Sequence, residues 1–469
     1  MPTKKLGRAW STLQSKGVSE TYRTLRRRIR AKRGQGGNDL NILLITNRDS
    51  DNVGDQVIEE CALALVKAAL SEMGIKDFTI TSRAAGMISK RYLKTQDPAL
   101  LAEPEQAIAK TDVVVFGGAP LFNFRYQPFY ERTALTLELA HKHQVPVVFS
   151  AIGIEGYDED DERCQRLKTA LALPCVTQIT TRDNFEALER FVEGTDTPIA
   201  KVADPAVLTD LVFRKFLAPR RAGTVGVFVI REHAFRDNGI DFTKEQAAEL
   251  WVGIIRELEA RSLDYELITS GHFSDEAFME LLITDYGIPA SKCAFNMNAP
   301  EDLVAKISSY DAIISCRLHP SIIAFATNTP AVGLTWNEKV PHFYGAIGYP
   351  QRALTVEQAT AATLVDLVET AMQEGVRHRS DYRTSAYTAL RDGLAHALGL
   401  PTPSSKVTEA TLSQLITPFA GTSDKERTAK LERKFRRSYD KFNVVTDQNA
   451  KLKAKNARLR KKSARPSGQ

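Results

Sequence analysis

The chain is poor in the residues that build metal centres and disulfide frameworks. Its five cysteines, Cys61, Cys164, Cys175, Cys293 and Cys316, form no C-x-x-C pair and mostly have apolar neighbours. That is the pattern of reduced, buried thiols, not of cross-links or a zinc site. Of eight histidines, only His141 and His143 lie within four residues of each other, so no metal is expected. No apolar run approaches the ~18 residues of a spanning helix, and no apolar segment of a secretory signal follows the basic N-terminus. No repeat recurs at a period of ~20–50 residues. These absences point to a cytoplasmic protein. What is present is ordinary globular material: 469 residues with 43% hydrophobic content, enough for two domains and tails.

The net charge of +6 is strongly segregated. Residues 1–38 carry eleven Lys/Arg and a single acid, Glu20, and residues 423–469 carry sixteen Lys/Arg and five acids, which leaves −15 for residues 39–422. A nucleic-acid-binding domain has its basic surface on the fold itself. An acidic body with basic ends therefore predicts no nucleic-acid partner.

From Asn41 the chain alternates short β-branched runs with longer helical stretches. Strands are predicted at 42–46, 78–81, 113–116, 145–150, 176–180 and 199–202, then at 224–230, 265–269, 293–295, 311–315 and 331–334. Continuous apolar strands alternating with helices indicate parallel sheets covered on both faces. The expected fold is α/β, with two doubly wound Rossmann-like lobes in a glycosyltransferase-B-like arrangement. The first lobe takes residues 39–214 and the second 224–355, joined by a linker at 215–223. Residues 356–422 are expected to supply packing helices.

The ends have their own patterns. Within residues 1–38, Leu6, Trp10, Leu13, Tyr22, Leu25 and Ile29 mark a basic amphipathic helix. In the tail, residues 423–469, Leu431, Ser438, Val445, Leu452 and Leu459 recur every seven residues, as do Phe435, Phe442, Asn449 and Asn456. That is a coiled-coil pattern, hence an expected homodimer; a solvated basic tail is the alternative. Both basic ends could also hold the protein peripherally on an anionic membrane, on the inner face of the cell membrane.

Candidate chemistry falls where strands end, the edge at which open α/β sheets bind ligands. Asn52, Gly54 and Asp55 follow the first strand, where Asp55 is either a helix cap or a functional carboxylate. Gly117 and Gly118 form a turn whose N–H groups can hold an anion, although close packing also calls for glycines. The spacing excludes a G-x-G-x-x-G dinucleotide fingerprint. Gly153 lies in a second such turn, and Arg182–Asp183 opens a helix, with capping as the alternative for Asp183. The strongest element is Ile313–Pro320, a buried strand ending in Arg317, Leu318 and His319. Arg317 offers a planar fork for a carboxylate or phosphate, and His319 a group that titrates near neutrality. Lys339, after the next strand, can add a second cation to the same anion.

The ordered series N-V-G-D (52–55), V-V-V-F-G-G (113–118), I-G-I-E-G (152–156), T-R-D (181–183), D-P (204–205) and S-C-R-L-H-P-S-I-I-A (315–324) resembles the polysaccharide pyruvyl transferase family. The continuation at 329–340 is similar too. Departures from the family pattern are Ala119 in place of a third glycine, R-D-N-F-E where a serine is usual, and Gly156–Tyr157. The resemblance implies transfer of pyruvate from phosphoenolpyruvate to a cell-surface glycan or its lipid-linked precursor, closing a ketal, with no cofactor. It implies His319 as general acid, Arg317 as clamp, and Asp55 and Asp183 as partners of acceptor hydroxyls or as the base. Two other readings remain: a glycosyltransferase using a nucleotide sugar, and a non-catalytic scaffold in glycan assembly.

Overall fold

The computed structural model describes residues 39–463 apart from 126, 127, 232 and 296, with side chains to residue 456. The basic amphipathic segment expected at 1–38 lies outside the described residues. Two parallel six-stranded sheets organise the rest. The first contains β1 (Leu40–Thr46), β2 (Phe78–Ala84), β3 (Val113–Gly117), β4 (Val147–Ile152), β5 (Val176–Thr181) and β6 (Ile199–Lys201), in spatial order β2-β1-β3-β4-β5-β6. The second contains β7 (Arg221–Phe228), β8 (Asp264–Ile268), β9 (Cys293–Ala294), β10 (Tyr310–Ser315), β11 (Ala331–Leu334) and β12 (Ala353–Leu354), in order β12-β11-β10-β7-β8-β9. β3 and β10 are almost wholly buried, as strands covered on both faces must be. The strand order reverses between β1 and β3 in one sheet and between β7 and β10 in the other. Such switch points leave a crevice at the carboxyl ends of the strands.

Helices that border the strand ends or brace the two lobes include α1 (Val53–Glu72), α2 (Phe185–Val192), α3 (Phe273–Tyr286), α4 (Leu318–Ala326), α5 (Lys339–Ala346), α6 (Ser380–Ala397) and α7 (Asp424–Ser463). α1 is buried around most of its circumference, which marks a helix enclosed between layers. Its Val57 and Leu65 share one apolar cluster with Val304, Ile307 and Ile322 of the second lobe. The two lobes therefore meet through a common core.

β7 begins at Arg221, inside the stretch expected to be linker. Beyond the second sheet the chain returns to the first lobe. On α6, Ser385 accepts a bond from the Ala203 N–H at 2.8 Å, Ala389 O takes one from Gln178, and Tyr387 donates to Glu72 at 2.5 Å. Four of the five cysteines are buried and all are free. No helix among the described residues is long and apolar enough to cross a membrane.

Candidate active site

The strand ends of both sheets face each other, and nearly every polar group of the expected site lies there. From the first lobe come Asn52 and Asp55 after β1, Glu155 after β4, Arg182 and Asp183 after β5 and Asp204 after β6. From the second come Arg231 after β7, His272 and Asp275 after β8, Arg317 and His319 after β10 and Lys339 after β11. α1 docks its first turn on the opposite lobe, its Val53 N–H donating to Ser270 O at 2.7 Å.

His319 sits where the lobes touch. Its Nδ1 lies 3.4 Å from Asn52 Nδ2 and 3.5 Å from Asp55 Oδ1. Burial pushes the imidazole well below its usual range, and the cations Arg182, Lys339 and Arg317 add to the effect. Burial pushes the Asp55 carboxyl the other way, upward, against the opposing pull of Ser50, Arg182, Asn47 and Arg317. Both groups are thus driven toward their neutral forms, and their proton affinities converge.

Arg317 caps α4 with its backbone, and its own N–H donates to Ser315 Oγ at 3.0 Å. Its guanidinium, 13% exposed, donates through Nε and Nη2 to Asp275 Oδ2 at 3.0 and 2.5 Å and stands 5.8 Å from the Trp336 ring centre. The other oxygen of Asp275 takes Arg231 Nη1 at 3.2 Å. Asp275 is fully buried; burial would raise its pKa, but Arg317, His272 and Arg231 hold it below the usual carboxylate value. His272 is pushed down to about 3 by burial and by Arg317 and Arg231, against the pull of Asp275. One carboxylate therefore fixes two guanidiniums at the switch point of the second sheet, where an anion would bind.

Lys339 reaches across the cleft and ion-pairs with Glu155, which also accepts from Asn123 Nδ2. Arg182 is buried against Asp204. Asp183 directs Oδ1 at the N–H groups of Ile154 and Asn184, both at 2.8 Å, while its buried Oδ2 has no partner. A buried carboxylate oxygen without a donor is costly, and a ligand hydroxyl would satisfy it.

Several local expectations need correction. Asn52, not Asp55, caps α1, accepting from the Gly54 N–H at 3.2 Å. Asn184, not Asp183, caps α2. Asp55 and Asp183 are thereby released from capping. The glycine turns are also busier than expected: Gly118 N–H donates to Ser150 O and Gly153 N–H to Ala119 O, each at 2.9 Å. These two N–H groups are not free to hold an anion. Steric demand explains the glycines instead. Gly118 has φ +63°, and a Cβ there would lie 2.2 Å from Ile58 Cγ2; one at Gly117 would lie 3.1 Å from Ala62 Cβ. Leu318 packs its side chain on the shared core.

Sequence reasoning missed Arg231, Asp275 and Glu155 as site members. The rule that polar residues after a strand belong to the cleft would have found them in I-R-E-H after β7 and S-G-H-F-S-D after β8. Glu155 stands within the I-G-I-E-G motif, but its pairing with Lys339 depends on how the lobes meet.

Comparison with known proteins agrees with this arrangement. Among solved structures, the UDP-GlcNAc 2-epimerase from Methanocaldococcus jannaschii is 13% identical, with 75% of this chain and 98% of that chain covered and a TM-score of 0.51. An S. aureus MnaA–UDP structure is 15% identical over 78% and 99% of the two chains, TM-score 0.48. The E. coli heptosyltransferase WaaC with ADP is 14% identical over 71% and 100%, TM-score 0.38. The first of these likenesses shows a shared two-lobed fold. The comparison with curated proteins finds no match. Residues 52–338, from the cap of α1 to the start of α5, match the family model for polysaccharide pyruvyl transferase. That segment is more than half of the chain and contains every cleft residue named above except Lys339, so the chain belongs to the polysaccharide pyruvyl transferase family.

Proposed function

We propose that the protein transfers pyruvate from phosphoenolpyruvate to two hydroxyls of one sugar in a cell-surface glycan or its lipid-linked precursor. The observation that carries this reading is the convergence of Arg317, Lys339 and Arg182 around a buried histidine–carboxylate pair. Phosphoenolpyruvate bears a carboxylate and a phosphate, and a cluster of cations with a proton donor suits both its charge and its chemistry. Arg317, pre-oriented by Asp275, is the clamp. Lys339 exchanges Glu155 for the substrate anion.

In the reaction, a sugar hydroxyl attacks C2 while a proton passes from His319 to C3, converting the methylene to a methyl. Nδ1 faces Asn52 and Asp55, so Nε2 is the ring atom for substrate. Three cations disfavour the imidazolium; a multiply charged anion beside them reverses that field, and Asp55 at Nδ1 supports the protonated ring. Asp183 Oδ2 takes the proton of the attacking hydroxyl. A second hydroxyl then attacks C2 as the C2–O bond to phosphate breaks; its proton passes to the departing phosphate, and the ketal closes.

The test is incubation with phosphoenolpyruvate and candidate lipid-linked glycans, following phosphate release. Release that depends on acceptor, and is lost in Arg317→Ala and His319→Ala, is expected. No release, with stabilisation by nucleotide sugars but not by phosphoenolpyruvate, would favour the glycosyltransferase reading. Full biological function after both substitutions would favour the scaffold.

A further inference from the structure

α7 divides into two parts with different surroundings. Its first part lies across both lobes. Arg427 pairs with Glu301 at 2.5 Å and Asp302 at 2.9 Å, and Lys434 with Glu276 at 2.6 Å, all on the second lobe. Arg437 pairs with Asp51 of the first lobe at 2.7 Å. Asp51 precedes the Asn52 cap and Glu276 follows Asp275 in the first turn of α3, so the helix is seated beside two segments that carry the site.

From Tyr439 the helix emerges from the body, with Lys441 Nζ still 5.4 Å from the Phe273 ring centre. Residues 439–456 are exposed without exception. Phe435, Tyr439, Phe442, Val445 and Leu452 are between 52% and 69% exposed. At about 100° per residue they share one side of the helix, an arc of roughly 140°. Lys453 lies within that arc, placed to extend its head past an apolar surface; Lys441, at the border, lies over Phe273 of the body. Residues 438–463 hold eight Lys/Arg and two acids, Asp440 and Asp447. This long exposed helix therefore has an apolar face, aromatics on it, and a large excess of positive charge.

We propose that the projecting part of α7 docks on an anionic lipid bilayer and seats the interlobe cleft at the membrane surface. Charge decides between occupants. A second copy of the helix would bring two such segments together with almost no acids to pair them, and its seam would contain Ser438, Asn449 and Asn456. An anionic leaflet supplies the missing charge and an apolar layer for Phe442, Val445 and Leu452. The body, at −15 over residues 39–422, is repelled by the same surface, so docking falls to the tail among the described residues. The inference is independent of the proposed reaction.

The experiment is co-sedimentation of the full chain with phosphatidylcholine vesicles, with and without phosphatidylglycerol. Two variants accompany it: Phe442→Glu with Leu452→Glu, and Lys451→Glu with Lys453→Glu and Lys455→Glu. The wild type is expected to bind only the anionic vesicles, and each variant to bind roughly tenfold less or weaker still. Because every altered residue is exposed, unchanged melting curves will show that the body remains folded. Equal binding to neutral vesicles, or undiminished binding by both variants, overturns the proposal. So does a dimer by light scattering that Phe442→Glu with Leu452→Glu disperses while vesicles bind nothing; that result assigns the face to a second copy.

Discussion

Gly54 lies so close to His319 that a Cβ on the glycine would stand 2.4 Å from the histidine Cβ and 2.6 Å from its Nδ1. One residue belongs to the first turn of α1 and the other to the first turn of α4, so this contact is also the contact between lobes. The N-V-G-D motif needs its glycine because a histidine from the other lobe occupies the space.

Gly54→Ala tests that contact. Neither neighbour is the far end of a flexible chain, so the added methyl displaces His319 or parts the lobes. Overpacking of this kind costs about 1–3 kcal/mol. A lowered melting temperature together with a large fall in turnover is expected. Full activity in the variant would show that His319 need not hold this position.

Asp275 is the next target. It is fully buried and shared by two guanidiniums, so Asp275→Asn leaves cationic groups without their counter-charge. Removing one partner of a buried pair costs about 3–5 kcal/mol. Chemical denaturation should register a loss of that size, and KM for phosphoenolpyruvate should rise more than kcat falls. A variant with normal KM would mean that Arg317 is not oriented by Asp275 for anion binding.

The fold was legible because parallel strands buried on both faces leave continuous apolar runs, and eleven of the twelve strands among the described residues were expected close to where they lie. β12, of two residues, is too short to carry a periodic signal. The site was legible one strand end at a time: Arg317, His319, Asp55, Asp183 and Lys339 do converge on one cleft. What the sequence could not disclose is which side chain meets which across the lobes. Gly54 against His319, and Glu155 against Lys339, are contacts between segments far apart in the chain, set by how the two sheets meet. The caps were misassigned by one to three residues because Asn52 and Asp55, like Asn184 and Asp183, offer equivalent side-chain acceptors near a helix start, and only the backbone path chooses.

The Glu155–Lys339 pair makes a kinetic prediction. Under the proposed reaction, Glu155 competes with substrate for Lys339. Glu155→Gln removes the competitor while keeping the shape, so KM for phosphoenolpyruvate should fall, whereas Lys339→Met should raise it. Steady-state kinetics on the two variants suffices. A higher KM in Glu155→Gln would show that the pair holds the site together and is not exchanged for substrate.

His319 makes a prediction about pH whose sign follows from burial. Its folded imidazole binds a proton less readily than the unfolded chain does, so unfolding takes up a proton once the pH falls below about 6.5. Stability is therefore lost on the acid side, by at most ~1.4 kcal/mol per pH unit for this one group. His272, pushed down to about 3, and His378, also lowered by burial, act in the same direction, so the wild-type curve alone does not isolate His319. The difference between His319→Asn and wild type does: the variant's relative stability should improve steadily as the pH is lowered from about 7 to about 5. Phosphoenolpyruvate should oppose this trend in the wild type, because an anion beside Arg182, Lys339 and Arg317 removes part of what keeps the ring neutral. Calorimetric titration in buffers of different ionisation enthalpy should then record proton uptake on binding in the wild type, and less in His319→Asn. Parallel stability curves, or identical proton uptake by both proteins, would show that the proton resides elsewhere in the cleft.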